Sequence, residues 1–127
     1  MIRFIACFSL LLAGVMCGCV SYRTPPADRR VTVSPDLRAE VWVTDIRLSR
    51  GQSQHYTLQA NIVNNTNGDA RFEYRVVWLD AAGVAIPSIV SDWQFVSAAA
   101  REIVGLTTTA PAPEAVDFRL YVQRSRR

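Results

Sequence analysis

Residues 56–79 read YTLQANIVNNTNGDARFEYRVVWL, and both ends of that stretch alternate. Tyr56, Leu58, Ala60 and Ile62 are spaced by Thr57, Gln59 and Asn61, and Phe72, Tyr74, Val76 and Trp78 by Glu73, Arg75 and Val77. A period of two puts successive side chains on opposite faces, so each end is a strand with one buried face. Between them Asn64-Asn65-Thr66-Asn67-Gly68-Asp69 is turn chemistry. Asn-Gly tolerates positive φ, which predicts that the two strands pair as a hairpin. The Asn64-Asn65-Thr66 sequon is read as part of that turn and not as a glycosylation acceptor.

Working outward, Val41 and Val43 alternate with Glu40, Trp42 and Thr44, and the phase slips across Asp45 before Ile46, which predicts a bulge or bend. Downstream, Asp80-Ala81-Ala82-Gly83 closes the strand as a turn, with Asp80 bonding the backbone two residues on and Gly83 free to take positive φ. Residues 84–100 are irregular, and Pro87 argues against a helix through them. Trp93-Gln94-Phe95-Val96 reads as a short strand, residues 97–101 as a turn or a single helical turn, and residues 102–108 as another strand. Ala110-Pro111-Ala112-Pro113-Glu114 is a rigid corner, followed by a last strand with Val116, Phe118, Leu120 and Val122 inward. About seven short strands in roughly ninety residues, with no helix of ten residues, predict an all-β antiparallel sandwich.

The amino end has a different character. Arg3, an apolar run from Phe4 to Met16 and the junction Met16-Cys17-Gly18-Cys19 form a secretory signal that is shorter than the roughly 20 residues a membrane-spanning helix needs. Gly18 before Cys19 suits lipoprotein signal peptidase, whereas Cys17 would place bulky Met16 at the cut. Residues 1–18 are therefore read as a lipoprotein signal peptide and Cys19 as the acylated anchor. A plain secreted protein cut elsewhere is the alternative. Val20 after the anchor lacks the aspartate that retains lipoproteins in the inner membrane, which favours the outer one. Residues 19–36, with Pro25, Pro26 and Pro35, read as a semi-extended tether reaching up to about 45 Å. A short strand over residues 30–33 can dock on the body. The sandwich proper is assigned to residues 37–124 and a basic tail to 125–127.

All three cysteines (Cys7, Cys17, Cys19) fall in the signal or at the anchor, so no disulfide is available to the body, and stability rests on a packed core. The chain from Cys19 onward has 109 residues, enough for one small domain. It carries thirteen arginines, no lysine and eleven carboxylates, a formal charge of +2. With His55 the only histidine, a zinc or Cys-His centre is not expected, nor is a cofactor or a nucleic-acid partner. Ser53 and His55 with an aspartate make a triad only on paper, because nothing places the serine on a nucleophile elbow. The chain is read as non-enzymatic.

Asn64-Asn65-Thr66, the run from Tyr74 to Gly83, Trp93, and the run from Ala110 through Asp117-Phe118-Arg119-Leu120 together resemble the YcfL family of uncharacterised bacterial lipoproteins, over nearly all of the mature domain. The resemblance implies an immunoglobulin-like sandwich on the periplasmic side of the outer membrane. It also implies a link by gene neighbourhood to a lipoprotein activator of a peptidoglycan-synthesising penicillin-binding protein, and it brings no catalytic residues.

The candidate partner or ligand surface comprises Trp93, Trp42, Arg75, Arg119 and Tyr121. Tryptophans can stack on sugars or anchor a protein contact, and arginine forks suit carboxylates of the kind that peptidoglycan stems present. The same residues have quieter roles: inter-sheet packing for Trp42 and Trp93, and cross-strand ion pairs among Arg71, Glu73, Arg75, Asp117 and Arg119. The expected function is an accessory or binding module in envelope or cell-wall assembly, acting through protein contacts and tied to the membrane at Cys19. A binder of peptidoglycan fragments and a lipoprotein subunit of a secretion apparatus are the alternatives. An exposed sheet edge is expected at residues 84–93, with Trp93 as its anchor.

Overall fold

The computed structural model describes residues 28–126, so the signal peptide expected over residues 1–18 and the expected anchor Cys19 lie outside the described residues. Seven strands are present: β1 (Val31–Val33), β2 (Val41–Arg50), β3 (Tyr56–Asn64), β4 (Ala70–Leu79), β5 (Gln94–Ala98), β6 (Ile103–Thr109) and β7 (Asp117–Arg124). The helical content of the described residues is one 3-10 turn, Ile89–Ser91. The strands form two sheets, ordered β1-β7-β4-β5 and β2-β3-β6. The chain crosses between them after β1, β3, β5 and β6, so the all-β, immunoglobulin-like sandwich expected from the sequence is the fold.

The alternation sets the core. Leu58, Ala60 and Ile62 of β3, Phe72, Val76 and Trp78 of β4, and Phe118, Leu120 and Val122 of β7 are all buried between the sheets. Trp78 and Phe118 meet edge to face, with centroids 6.3 Å apart at 64°. Each such side chain contributes roughly 1.5–3 kcal/mol by leaving water, which replaces the missing disulfide as the source of stability. The phase slip in β2 is a bulge: pairing with β3 shifts between Thr44 and Arg47, and Asp45 takes a φ of 53°. The Asp80 turn also forms as read. Asp80 Oδ1 accepts from the N–H groups of Ala82 and Val84, both at 2.9 Å, and Gly83 has a φ of 79°.

Three expectations need correction. First, β3 and β4 are not hairpin partners; they lie in different sheets, and residues 65–69 carry the chain across. The reason is Asn64, fully buried, whose carboxamide binds the backbone of the crossing itself and of the turn after β5. Second, residues 28–36 belong to the folded unit, although their proline and charge content alone assigns them to the tether. β1 pairs with β7, and in parallel, with Thr32 opposite Tyr121. Arg30 grips Asp28 through two side-chain bonds of 3.0 and 2.8 Å and lies 4.6 Å over the Phe118 ring, covering the end of the core. Arg30 holds the Asp28 carboxyl below the usual carboxylate range, chiefly through that hydrogen bond. Third, Val116 is exposed, because the corner after Pro113 is still turning and β7 begins only at Asp117. At the other end Arg124 is no part of a free tail: it bonds Asp36 at 3.0 Å and Glu40 at 3.2 Å.

Candidate functional site: the outer face of the four-stranded sheet

Because Tyr74, Val76 and Trp78 face inward on β4, Glu73, Arg75 and Val77 must face out. The antiparallel register with β7 sets Arg75 beside Tyr121, Val77 beside Arg119 and Glu73 beside Gln123. On the other flank, Gln94 pairs with Tyr74, so the chain entering β5 brings Trp93 level with Arg75. The result is a row across the sheet: Thr32, Tyr121, Arg75, Trp93. The Arg75 guanidinium carbon lies 4.9 Å from the Trp93 ring centroid and 5.3 Å from that of Tyr121, within the range of a cation over an aromatic face on both sides.

The ion pairing of this face is unusual. Glu73 accepts from Gln123 at 2.5 Å, and Arg119 takes Asp117 at 3.4 Å and the Phe118 carbonyl at 3.0 Å. Arg75 makes no ion pair and no hydrogen bond with any described residue. Its Nε is buried without a partner, whereas its two terminal nitrogens keep contact with solvent. A buried donor left unpaired costs roughly 1–3 kcal/mol, so the position holds its arginine against a local penalty. The cross-strand ion pairing expected for this face does not form: Arg119 pairs with Asp117 of its own strand, and the bond that crosses from β7 to β4 is that of the Gln123 amide to Glu73.

Beyond Trp93 the surface turns apolar. Phe95 lies on the outer face of β5, opposite Glu73, and is 54 % exposed; Ile89, in the 3-10 turn that leads into β5, is 93 % exposed. β5 is an edge strand without charge or proline, the kind of edge that proteins usually blunt.

Four of the five sequence candidates, Trp93, Arg75, Tyr121 and Arg119, thus share one face. Trp93 is half-buried and stacked on arginine; it is not a core residue. Trp42 does not join them. It sits on the outer face of the other sheet, paired with Val63, which in turn pairs with the exposed Ile103. Phe95 was not singled out by sequence reasoning, though it stands out of phase with Val96 and Ala98, which pack inward. His55 is occupied structurally, with Nδ1 2.8 Å from the Ala110 carbonyl oxygen at the corner before β7. Among the described residues no three His, Cys, Asp or Glu side chains cluster in a way that holds a metal ion, and no helix is long and apolar enough to cross a membrane. A separate open depression of about 320 Å3 lies on the β2-β3-β6 face at the bulge, lined by Asp45, Arg47, Gln59, Asn61, Gly105 and Thr107 among others.

The fold and this face define a small all-β sandwich with a stacked, unpaired arginine on one sheet. The chain belongs to the family described as a protein of unknown function, DUF1425, whose family model matches residues 28–124. Two crystal structures share the fold. One, of a DUF1425 family member from Shewanella sp. pv-4, is 20% identical, with a TM-score of 0.61 over 67% of this chain and 78% of that one. The other, of Campylobacter jejuni cj0090, is 21% identical, with a TM-score of 0.63 over 77% of this chain and all of that one. No curated protein matches the chain.

Proposed function

We propose that this chain is a non-enzymatic, YcfL-type lipoprotein of the bacterial envelope, acylated at Cys19 in the outer membrane with its sandwich facing the periplasm, and that it acts by holding another envelope protein. The observation that carries this reading is the outer face of the four-stranded sheet. There a fixed, unpaired arginine adjoins an uncharged edge strand and the exposed side chains of Phe95 and Ile89. Exposed apolar groups beside an open strand edge are features of protein contact, and a partner strand added to β5 is the mode they suit. One feature favours the second reading, a binder of peptidoglycan fragments: stem peptides carry carboxylates, and Arg75 lacks one.

The anchor is tested first. Cys19→Ala is expected to move the full-length protein out of the membrane fraction and abolish acylation by intact mass, while Cys17→Ala leaves both unchanged. The reverse pattern would reassign the anchor. Partner holding is tested with a photocrosslinker at position 95 or position 107 of the anchored protein in cells. A discrete protein adduct from 95 and none from 107 is expected. Identical adduct patterns from the two faces would defeat the assignment of the surface, and muropeptide in place of protein at 95 would support the second reading.

A further inference from the structure

We infer that Arg75 is the receptor for a terminal carboxylate, specifically the C-terminal carboxylate of a partner protein whose last residue has a large apolar side chain. This deepens the partner-holding reading and rests on it. Two observations carry the inference. The guanidinium is held between two aromatic faces, so its orientation is set before any ligand arrives and little side-chain freedom is lost on binding. Its Nε is buried, and its terminal nitrogens, in contact with solvent, have no acceptor among the described residues, which leaves their N–H donors open to a ligand. A carboxylate matches that fork with two parallel charge-assisted hydrogen bonds.

The surroundings select within the carboxylates. Glu73 is the acidic group that faces this site from β4, and it is engaged with Gln123, so it neither occupies Arg75 nor presents both oxygens to it. Asp117 is held by Arg119 further along β7. Phe95, 54 % exposed two residues beyond Trp93 on the same face, offers an apolar footprint that a bulky terminal side chain covers and a methyl group does not. That difference favours a protein C-terminus over the D-alanyl end of a stem peptide.

The test follows the Arg75 Nε–H resonance in full-length, 15N-labelled protein in detergent, the buried N–H being shielded from exchange. The probes are N-acetyl-phenylalanine, its C-terminal amide, N-acetyl-D-alanyl-D-alanine and inorganic phosphate. N-acetyl-phenylalanine is expected to shift the resonance saturably, with the amide and the D-alanyl dipeptide at least about tenfold weaker. Arg75→Lys, which keeps the charge and loses the fork, is expected to weaken binding of the acid by about tenfold, followed by tryptophan fluorescence, with its far-ultraviolet circular dichroism unchanged. Equal binding of acid and amide would overturn the carboxylate assignment. A tighter D-alanyl dipeptide would transfer the site to stem peptides, and tighter phosphate would make it a general anion site. Because the wild-type titration needs no partner, a null here beside a positive crosslink at position 95 removes the carboxylate assignment and leaves partner holding standing.

Discussion

Asn64→Asp is expected to remove about 3–5 kcal/mol of stability, a large share of the 5–15 kcal/mol typical of a small domain. The Asn64 side chain is fully buried and joins two crossings of the sandwich. Its Nδ2 donates to the carbonyls of Gly68 at 2.8 Å, Ala98 at 3.2 Å and Ala99 at 2.8 Å, while its Oδ1 accepts from the Thr66 N–H at 3.0 Å and hydroxyl at 2.8 Å. Aspartate keeps the shape and the acceptors but has no donor when ionised, so three carbonyl oxygens would face an anion in a fully buried site. Each buried group left unpaired costs roughly 1–3 kcal/mol. The folded state would instead favour the protonated acid, raising its pKa above the unfolded value. The sign follows: the variant is most stable below the unfolded carboxyl pKa and loses stability as pH rises through the folded one. Denaturant melts at pH 4 and pH 7 should therefore differ for Asn64→Asp by more than for the wild type. Asn67→Asp, on the exposed neighbour that accepts from Arg101 at 3.2 and 3.0 Å, is expected to change stability by no more than about 0.5 kcal/mol. Equal losses at the two positions would show that the crossing is not held by the Asn64 carboxamide.

Asn64 also marks where the sequence stops being legible. Strand phase is readable in β3, β4 and β7 because each is half-buried, and the apolar positions can repeat only every second residue if they share a face. Sheet membership is not readable in the same way. Asn-Gly in a six-residue polar loop carries the local signature of a hairpin, and what sends β4 to the other sheet is a bond from Asn64 to carbonyls at positions 98 and 99, over thirty residues away. Arg101 adds to this from the far turn, bonding Asn65 at 2.7 Å as well as Asn67. A local rule has no access to either partner. β1 is legible only as a strand able to dock, not as part of the domain, for a related reason: three residues between a proline-rich stretch and Pro35 give no period to count, and their stabilisation comes from β7 and Phe118 at the opposite end of the chain.

The candidate site divides along the same line. Arg75, Trp93 and Tyr121 were each visible as outward or irregularly placed residues, but the stack depends on β5, β4 and β7 being adjacent in that order. Trp42 and Trp93 have similar local credentials, an aromatic out of step with inward-facing neighbours. Only the strand order separates them, placing Trp42 on the β2-β3-β6 sheet and Trp93 beside β4. Nor does spacing along the chain tell that Glu73 turns to Gln123 and leaves Arg75 unpaired; that choice is made between strands fifty residues apart.

Trp78 gives the second large effect, and it separates two contributions that core substitutions usually mix. Its ring is fully buried against Phe118, so Trp78→Ala should cost about 3–5 kcal/mol through lost burial and the cavity left behind. The indole Nε1, however, is buried without a hydrogen-bond partner, a penalty that the tryptophan carries in the native state and phenylalanine would not. Trp78→Phe loses part of the ring volume but also removes that orphan donor, and the two changes oppose each other. Its net cost is expected to be below about 1.5 kcal/mol, in the range of a volume-conserving core swap. Denaturant melts of wild type and both variants, followed by far-ultraviolet circular dichroism, read the two values on one scale. A Trp78→Phe loss close to that of Trp78→Ala would mean that Nε1 makes a stabilising bond in solution, and the orphan donor would then be no part of the energetics of this core. A near-neutral Trp78→Phe would place the contribution of Trp78 in its apolar contact with Phe118 and the facing sheet.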